Sequence, residues 1–442
     1  MVTRSVPYTV IVVAVLALLM GLSTLVKGAP PQFTVIDLGP LPSSTSSGTD
    51  VNDSGSVVGF SFTPGGAQVE EHGTLWTGTS TIDLGQISNR AGRFLYSLNN
   101  SGQISGTVEV TGGFAAARWT GPNYTTPQIL PPLPAATVSV GDRINTSGQI
   151  AGTSGEQPVR WAGTAVEALD PLPGGRTRGD AYGINNSGQV SGWTLFNGRT
   201  TAVRWTGTAP EALDSLPGDT ASSGYAINSS GQVAGVNSIG GFNRTVRWTG
   251  TNVEDLGLLP GATDSLGSDI NDDGWVVGES TVNGVPRAFL HDGTTLYDLN
   301  DLIVGPNPFL LLQIARGINN AGQITGTGAT TNGPSHAFLL TPISDSDSDG
   351  IPDNEDICPD TVIPEAVPTV RLGVNRFALT NNDTTFDTRA PTGKRPPRVF
   401  TTADTAGCSC EQIITEQGLG QDHTSSGCSL SAMEEWIAIV TP

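Results

Sequence analysis

The stretch INNSGQVSG, residues 184–192, decides the fold of this 442-residue chain, because six further copies of it occur. Each copy has an apolar residue and an Asn, then small turn residues, and then a short apolar run, which predicts a β-hairpin. Successive copies are 40 to 48 residues apart. This period is typical of a four-stranded propeller blade and exceeds the roughly 20–29 residues of a leucine-rich repeat. The copies are led by Asn52, Asn99, Asn145, Asn185, Asn228, Asn271 and Asn319.

Each copy also predicts a third strand after the hairpin, and most copies predict a fourth. A fourth strand such as VEALDP, residues 166–171, is present in the first six copies and missing from the seventh. Helical repeats are disfavoured, because the chain contains 57 Gly and 30 Pro. The third strand has the form T-A-V-R-W-T-G and ends in Trp76, Trp119, Trp161, Trp205 and Trp248, and then in His291 and Leu340 in the last two copies.

The missing fourth strand has a counterpart before the first copy. FTVIDLGPLP, residues 33–42, matches VEDLGLLPG, residues 253–261. In a ring this strand would complete the seventh repeat, whereas in an open solenoid it would cap nothing. We therefore predict an all-β fold over residues 30–342, a seven-bladed β-propeller closed by an N-terminal strand. An open β-solenoid with an extra strand is the alternative.

The last two copies contain PRAFLHDG, residues 286–293, and SHAFLLTP, residues 335–342. Together with the Asn-Ser-Gly turns, they resemble bacterial extracellular repeats named for a His-Ala-Phe (HAF) signature, here His336, Ala337 and Phe338. Earlier copies carry A-V-R-W or similar residues at this place, so His336 is not a repeated functional group. The resemblance implies a secreted repeat protein and no settled activity.

The charge balance excludes nucleic acid as a partner. Acidic residues outnumber basic ones 41 to 21, which gives a net charge of −20. Such a surface repels a phosphate backbone. The hydrophobic content of 37% is too high for a disordered chain.

Residues 1–29 are predicted to be a signal peptide. Arg4 precedes an apolar run, residues 8–19, and Val26 and Gly28 suit the positions before a cleavage site. An uncleaved membrane anchor is the alternative, since the apolar segment could just span a bilayer. We expect a secreted or cell-surface protein with no membrane contact after cleavage.

A run of alternating carboxylates, DSDSDGIPDNED at residues 345–356, predicts a calcium loop. Ca²⁺ takes about six or more oxygen ligands, and a Gly at position 6, here Gly350, allows the sharp turn that brings them together. Because position 12 is Asp where an EF-hand usually has Glu, affinity is expected to be modest. An acidic, solvated linker is the alternative. Positions 1, 3, 5, 7, 9 and 12 are Asp345, Asp347, Asp349, the carbonyl of Ile351, Asp353 and Asp356.

The same string resembles one thrombospondin type 3 repeat, down to Cys358 and Pro359. The resemblance implies a calcium-ordered segment, residues 343–361, in a secreted protein. No helical periodicity flanks this segment, so a pair of EF-hands is not expected.

Residues 362–442 are predicted to form a small helical module linked by disulfides. Ser409 with Gln412, and Ser431 with Glu434, have the spacing of capping boxes, and Gly418 would end the first helix. One face of the last helix is apolar, with Met433, Trp436, Ile437 and Val440.

The four cysteines all lie after the repeats. An exported chain with an even number of cysteines favours disulfides. A bond between Cys408 and Cys410 is strained by proximity, so Cys358 should bond one of them and Cys428 the other. Zinc binding by the C-x-C pair with His423 is the alternative.

The repeats contain no G-x-S-x-G, H-E-x-x-H or P-loop motif. The four histidines are expected to be structural, and the arginines of the Arg-Trp pairs are expected to pack their stems on a neighbouring blade with solvated heads. Acids of the fourth strands recur in phase and could line one face, although solvated strand ends are the simpler interpretation. These acids are Asp37, Asp83, Asp170, Asp214, Asp255 and Asp298.

These features predict a secreted, calcium-binding, non-enzymatic protein that binds or adheres to an extracellular protein or glycan. The alternative is a secreted polysaccharide hydrolase or lyase that uses the central face of the propeller. The fold does not decide between them, because propellers carry both kinds of function.

Overall fold

The computed structural model describes residues 30–41, 45–65, 68–78, 80–88, 97–121, 124, 126–331, 333–347, 349–353, 356–392 and 398–441. The predicted signal peptide, residues 1–29, lies outside this set. One compact unit is Pro31–Ile343, and a second contains Ser344–Pro442. Within the described residues, no helix has both the length and the apolar composition needed to cross a bilayer.

In the Pro31–Ile343 unit, the described residues form short β-strands and one 3₁₀ turn at Leu299–Asp301. The first strands in chain order are β1 (Phe33–Asp37), β2 (Thr45–Val51), β3 (Val57–Gly65), β4 (Gln68–Thr77), β5 (Ser80–Ser88), β6 (Ser97–Leu98), β7 (Ile104–Val110), β8 (Gly113–Trp119), β9 (Gln128–Ile129), β10 (Ser139–Ile144), β11 (Ile150–Ser154), β12 (Gln157–Ala162) and β13 (Ala165–Ala168). The remaining strands are β14 (Gly179–Ile184), β15 (Val190–Phe196), β16 (Arg199–Thr206), β17 (Ala209–Ala212), β18 (Asp219–Ile227), β19 (Val233–Ile239), β20 (Phe242–Thr249), β21 (Asn252–Asp255), β22 (Ala262–Ile270), β23 (Val276–Val282), β24 (Val285–His291), β25 (Leu296–Asp298), β26 (Phe309–Ile318), β27 (Ile324–Thr330) and β28 (Ser335–Pro342).

These strands form four-stranded antiparallel sheets, as the repeat period predicts. We number them 1 to 6 in chain order, β2–β5, β6–β9, β10–β13, β14–β17, β18–β21 and β22–β25. Sheet 7 has the strand order β1-β28-β27-β26, so its outer strand comes from the start of the unit. Phe33 lies opposite Pro342 and Asp37 lies opposite Phe338. Phe33 is fully buried, in one apolar cluster with Phe309 and Phe338.

The first strands of the sheets lie next to one another in chain order, and β26 lies against β2. The repeated asparagine at the end of each first strand connects these neighbours. Its side-chain amide donates to the main-chain oxygen of the next repeated asparagine, at N–O distances of 2.8 to 3.4 Å. The last of these bonds runs from Asn319 to Asn52. We call these seven residues the asparagine ring.

Each ring asparagine also accepts, through Oδ1, the N–H of the residue four positions later in its own turn. The glycine of the turn, for example Gly188 with a φ of 77°, adopts the left-handed conformation that the turn requires. One amide therefore caps its own turn and ties it to the next sheet. Asp could accept but not donate, which explains the preference for Asn.

A β-bulge precedes the turn in sheets 1 and 3 to 7. In sheet 4, Ala181 pairs with Gly192 and Gly183 pairs with Ser191, so Tyr182 has no residue opposite it. The bulge brings the two backbones together, because a Cβ added to Gly192 would lie 2.0 Å from the main-chain oxygen of Asp180. The last glycine of the repeat motif is therefore required by close backbone approach.

We expect Gly192→Ala to destabilise the Pro31–Ile343 unit by roughly 1–3 kcal/mol or more, because a backbone atom cannot give way as a side chain can. Gly333→Ala is the matched control, since the nearest atom to its added Cβ is Thr330 Oγ1 at 3.3 Å. Thermal unfolding of the two variants checks this. Equal melting temperatures would contradict the close approach at Gly192.

The tryptophans of the third strands fill the core between neighbouring sheets. Trp161, Trp205 and Trp248 are fully buried. The indole N–H of Trp205 donates to the main-chain oxygen of Asp170 at 2.8 Å, and that of Trp248 donates to Asp214 at 2.7 Å. The only hydrogen-bond donor of each of these indoles is thus satisfied by a carbonyl of the preceding repeat, and the ring is buried. Loss of such a side chain costs about 3–5 kcal/mol.

The described residues of the second unit form three short strands and four helices. The strands form one sheet in the order β30-β29-β31. Its core contains Phe377, Phe400, Met433 and Trp436. The elements are β29 (Arg376–Ala378), β30 (Asp387–Thr388), α1 (Thr402–Thr405), α2 (Cys410–Gln417), α3 (Gln421–Ser426), β31 (Cys428–Ser429) and α4 (Leu430–Val440).

The predicted boundaries of α2 are confirmed, since Ser409 accepts from the N–H of Gln412 and Gly418 ends the helix with a φ of 62°. The predicted capping box of Ser431 with Glu434 is wrong. Helix α4 begins two residues earlier, because Ser429 leaves β31 in an extended conformation and accepts the N–H of Ala432. The predicted apolar face is confirmed, with Met433 and Trp436 buried in the core.

Candidate functional site

Three carboxylates of the predicted calcium loop converge. One oxygen each of Asp345, Asp347 and Asp349 lies within 4.8 Å of the other two. The main chain folds around them, because the N–H of Gly350 donates to Asp345 Oδ2 at 2.9 Å and the N–H of Asp349 donates to Asp345 Oδ1 at 3.2 Å. Gly350 has a φ of 90°, which favours glycine. We call Asp345, Asp347 and Asp349 the carboxylate cluster.

Asp349 is the buried member of the carboxylate cluster, with 0% of its surface exposed. Its Oδ1 accepts the N–H of Ile351 at 2.8 Å, but its Oδ2 is buried and has no hydrogen-bond partner among the described residues. Burial, together with the carboxylates of Asp347, Asp356 and Asp345, raises the pKa of Asp349 to about 7. A buried carboxylate oxygen without a partner is unfavourable, and a cation would supply the missing interaction.

Asp356 reaches the same place from the far end of the loop. A Cβ added to Gly407 would lie 1.8 Å from Asp356 Oδ1 and 3.1 Å from Asp349 Oδ2. Both oxygens therefore approach the main chain at Gly407, and only glycine leaves room for them. Burial also raises the pKa of Asp356. Sequence reasoning did not identify Gly407, because it lies more than fifty residues from the loop it contacts.

The other predicted ligands lie differently. The carboxylate of Asp353 accepts the N–H of Ser346 at 2.6 Å and its hydroxyl at 2.9 Å. The side chain of Ile351 is buried, and its N–H is the donor to Asp349. The structure thus brings together Asp345, Asp347 and Asp349, with Asp356 beside them, and directs Asp353 to Ser346.

The second unit contains two disulfides, so the predicted disulfide bonding is confirmed. Cys358 bonds Cys408 and Cys410 bonds Cys428, with Cα–Cα distances of 4.9 and 5.6 Å. These distances lie within the normal range. The first bond lies next to the site, because Cys358 follows Asp356 by two positions and Cys408 directly follows Gly407. Zinc binding by the C-x-C pair with His423 is therefore wrong, because all four cysteines are in disulfides and offer no thiolate.

The in-phase acids of the fourth strands do not lie near the asparagine ring. They lie on or next to the outer strand of every sheet except sheet 2, and several pair with a base on the adjacent third strand. Asp37 pairs with His336 at 2.9 Å, Asp83 pairs with His72 at 2.9 Å, and Asp298 pairs with Arg287 at 2.6 Å. These acids therefore lie at the outer strands of the sheets, away from the asparagine ring.

The arginines of the Arg-Trp pairs connect sheets. In each case Nη1 donates to the carbonyl of the turn glycine in the next sheet, at 2.7 to 3.0 Å. The side chains of Arg160 and Arg204 are only 14% exposed. The predicted solvated heads are wrong, because the neighbouring turn offers a carbonyl that the sequence does not reveal. The four arginines are Arg118, Arg160, Arg204 and Arg247.

Comparison with known proteins gives no family match and no match among curated proteins. Several solved structures are similar. An acylaminoacyl peptidase from Pyrococcus horikoshii has a TM-score of 0.40 and 11% identity over 66% of this chain and 51% of its own. A gluconolactonase from Xanthomonas campestris has a TM-score of 0.33 and 13% identity over 72% and 95%, and TolB from Acinetobacter baumannii has 0.34 and 11% over 65% and 79%. These values identify neither a family nor an activity.

Proposed function

We propose that this chain is a secreted HAF-type repeat protein in which a closed seven-bladed β-propeller binds an extracellular protein or glycan. Closure is supported by the pairing of β1 with β28 and by the bond from Asn319 to Asn52. Secretion is supported by the two disulfides, which persist in oxidising compartments.

A binding role without catalysis is supported by the placement of the repeated acids. They lie on or next to outer strands, and several of them pair with a base, as in Asp298 with Arg287. A glycan array probed with the purified chain, together with turnover assays on cell-wall polysaccharides, tests this role. Retention of a glycan without product supports the binding protein. Formation of a product would instead show that the chain is a polysaccharide hydrolase or lyase.

We also propose that the second unit holds one Ca²⁺ in a thrombospondin type 3-like loop. The observation that carries this proposal is the buried Asp349 Oδ2, which has no partner among the described residues and lies amid other carboxylates. Asp345, Asp347, Asp349 and Asp356 would supply oxygen ligands, which Ca²⁺ prefers. The bound ion would offset the mutual repulsion of these acids and order the loop.

Calorimetric titration of the full secreted chain with Ca²⁺ should show one site with a Kd of about 10⁻⁴ to 10⁻³ M, the range of extracellular modules. Asp349→Asn should weaken binding at least about tenfold, because one charged ligand is lost. Asp383→Asn is the matched control, since this acid of the same unit is exposed and accepts the N–H of Thr385. No binding at about 10 mM, or equal effects of both variants, would leave the segment as an acidic linker.

A further inference from the structure

The seven copies share their turn residues but differ at one inner position. The residue three places before the ring asparagine lies at the β-bulge, where the register of the second strand places no residue directly opposite it. Bulges re-aim side chains and are frequent next to binding sites. At this position the described copies carry Thr49, Asp142, Tyr182, Tyr225, Ser268 and Arg316. The scaffold is thus repeated while this inner position varies in size, charge and polarity.

Arg143 crosses the space that the first strands enclose. It belongs to sheet 3, yet its Nη1 lies 2.8 Å from Asp269 of sheet 6 and 4.0 Å from Asp50 of sheet 1. These two carboxylates offset its charge. A cavity of about 160 Å³ lies at the asparagine ring. Tyr182 and Tyr225, three places before their ring asparagines, are not among the residues that line this cavity.

Aromatic side chains form part of this inner wall in sheets 4 and 5. The rings of Tyr182 and Tyr225 have centroids 5.3 Å apart and planes tilted by 44°. The indole N–H of Trp193 donates to Asp180 Oδ2 at 3.1 Å, and the Tyr182 hydroxyl donates to the same oxygen at 3.2 Å. All three aromatic side chains are only half-buried. We call Tyr182, Trp193 and Tyr225 the aromatic wall.

The aromatic wall is held in place before any ligand arrives. Thr153 of sheet 3 donates to Asp180 Oδ1 at 2.8 Å, which fixes the carboxylate that orients Tyr182 and Trp193. Burial, with Asp180 and then Asp142 nearby, raises the pKa of the Tyr182 hydroxyl, so it stays neutral. Rings held in one orientation lose little conformational entropy on binding.

We propose that the aromatic wall binds a neutral pyranose unit of a glycan. This proposal rests on the binding function proposed above and adds the site and the class of ligand. A pyranose has an apolar C–H face that can cover an aromatic ring and a rim of hydroxyl donors. The carboxylates of Asp180 and Asp142 place negative charge beside the Tyr182 ring. The same carboxylates disfavour acidic sugars such as uronates by charge repulsion.

The test uses the full secreted chain and neutral hexaoses, namely cellohexaose, maltohexaose, xylohexaose and chitohexaose, with an oligogalacturonate as the acidic probe. Saturation-transfer NMR and calorimetry should detect binding of at least one neutral hexaose and none of the oligogalacturonate. Tyr182→Ala and Tyr225→Ala should each weaken binding about tenfold, which corresponds to about 1.4 kcal/mol. Tyr182→Phe keeps the ring and should retain most of the affinity.

Tyr297→Ala is the matched control, because Tyr297 is a half-buried tyrosine on the outer strand β25. It should bind like the wild type. A neutral hexaose that binds Tyr182→Ala and Tyr225→Ala as tightly as it binds the wild type would overturn the site and leave the proposed function standing. Binding of the acidic probe alone, or of no probe at millimolar concentration, would overturn the ligand class. In the latter case a protein partner would still satisfy the proposed function.

Discussion

A chain that lacks residues 33–41 should melt at a much lower temperature and aggregate. The deletion removes β1 and its five pairs with β28, from Phe33 opposite Pro342 to Asp37 opposite Phe338. It also empties the space of the fully buried Phe33 beside Phe309 and Phe338. The freed edge of β28 would present unpaired N–H and C=O groups, which template association between chains. Scanning calorimetry and light scattering measure both effects.

Two single substitutions distinguish the effect of losing the buried Phe33 side chain from the effect of losing the whole strand β1. Phe33→Ala should cost about 3–5 kcal/mol, because it leaves a cavity in the core. Ile36→Ala on the same strand should change stability by less than about 0.5 kcal/mol, since Ile36 is 54% exposed. An unchanged melting temperature of the deletion variant would show that β1 does not complete sheet 7 in solution. The open solenoid would then be the better description.

Reduction of the two disulfides should unfold the second unit while the Pro31–Ile343 unit stays folded. The bonds join residues 50 and 18 positions apart, so their loss should cost roughly 4 and 3 kcal/mol in the chain-entropy account. Together these values are comparable to the whole stability of a typical domain. The Pro31–Ile343 unit contains no cysteine and is an internal control.

Limited proteolysis with peptide mapping, before and after treatment with a reductant, measures this effect. New cleavage should appear after residue 344, including in α2 and α4. Paired Cys410→Ser and Cys428→Ser substitutions should reproduce part of it in the oxidised protein. Identical cleavage patterns in both redox states would show that the core around Phe377 and Trp436 stabilises the unit alone.

Calcium binding is expected to depend on the Cys358–Cys408 disulfide, because this bond lies next to Asp356 and Gly407 at the carboxylate cluster. Cys358 follows Asp356 by two residues, and Cys408 follows Gly407, against which Asp356 packs. Calcium titrations therefore belong in the oxidised protein. A loss of calcium binding after reduction would reflect displacement of Asp356 and would leave the assignment of Asp349 intact.

The sequence alone predicted the features that depend on local pattern. The period of the motif predicted four-stranded β-sheets, and the match of residues 33–42 to residues 253–261 pointed to a strand that pairs elsewhere in the chain. Capping chemistry predicted both ends of α2 at Ser409 and Gly418. Turn geometry and capping involve residues within about five positions of each other, so their signals survive in the sequence.

Other features depended on which sheets and segments become neighbours. The amide of Asn319 meets Asn52, Arg143 meets Asp269, and Gly407 meets Asp356, although each pair is far apart in the chain. The sequence showed a ring asparagine only as a turn residue and Gly407 only as one glycine of many. Burial, bulge geometry and long-range hydrogen bonds arise when the sheets pack, and only the tertiary structure decided them.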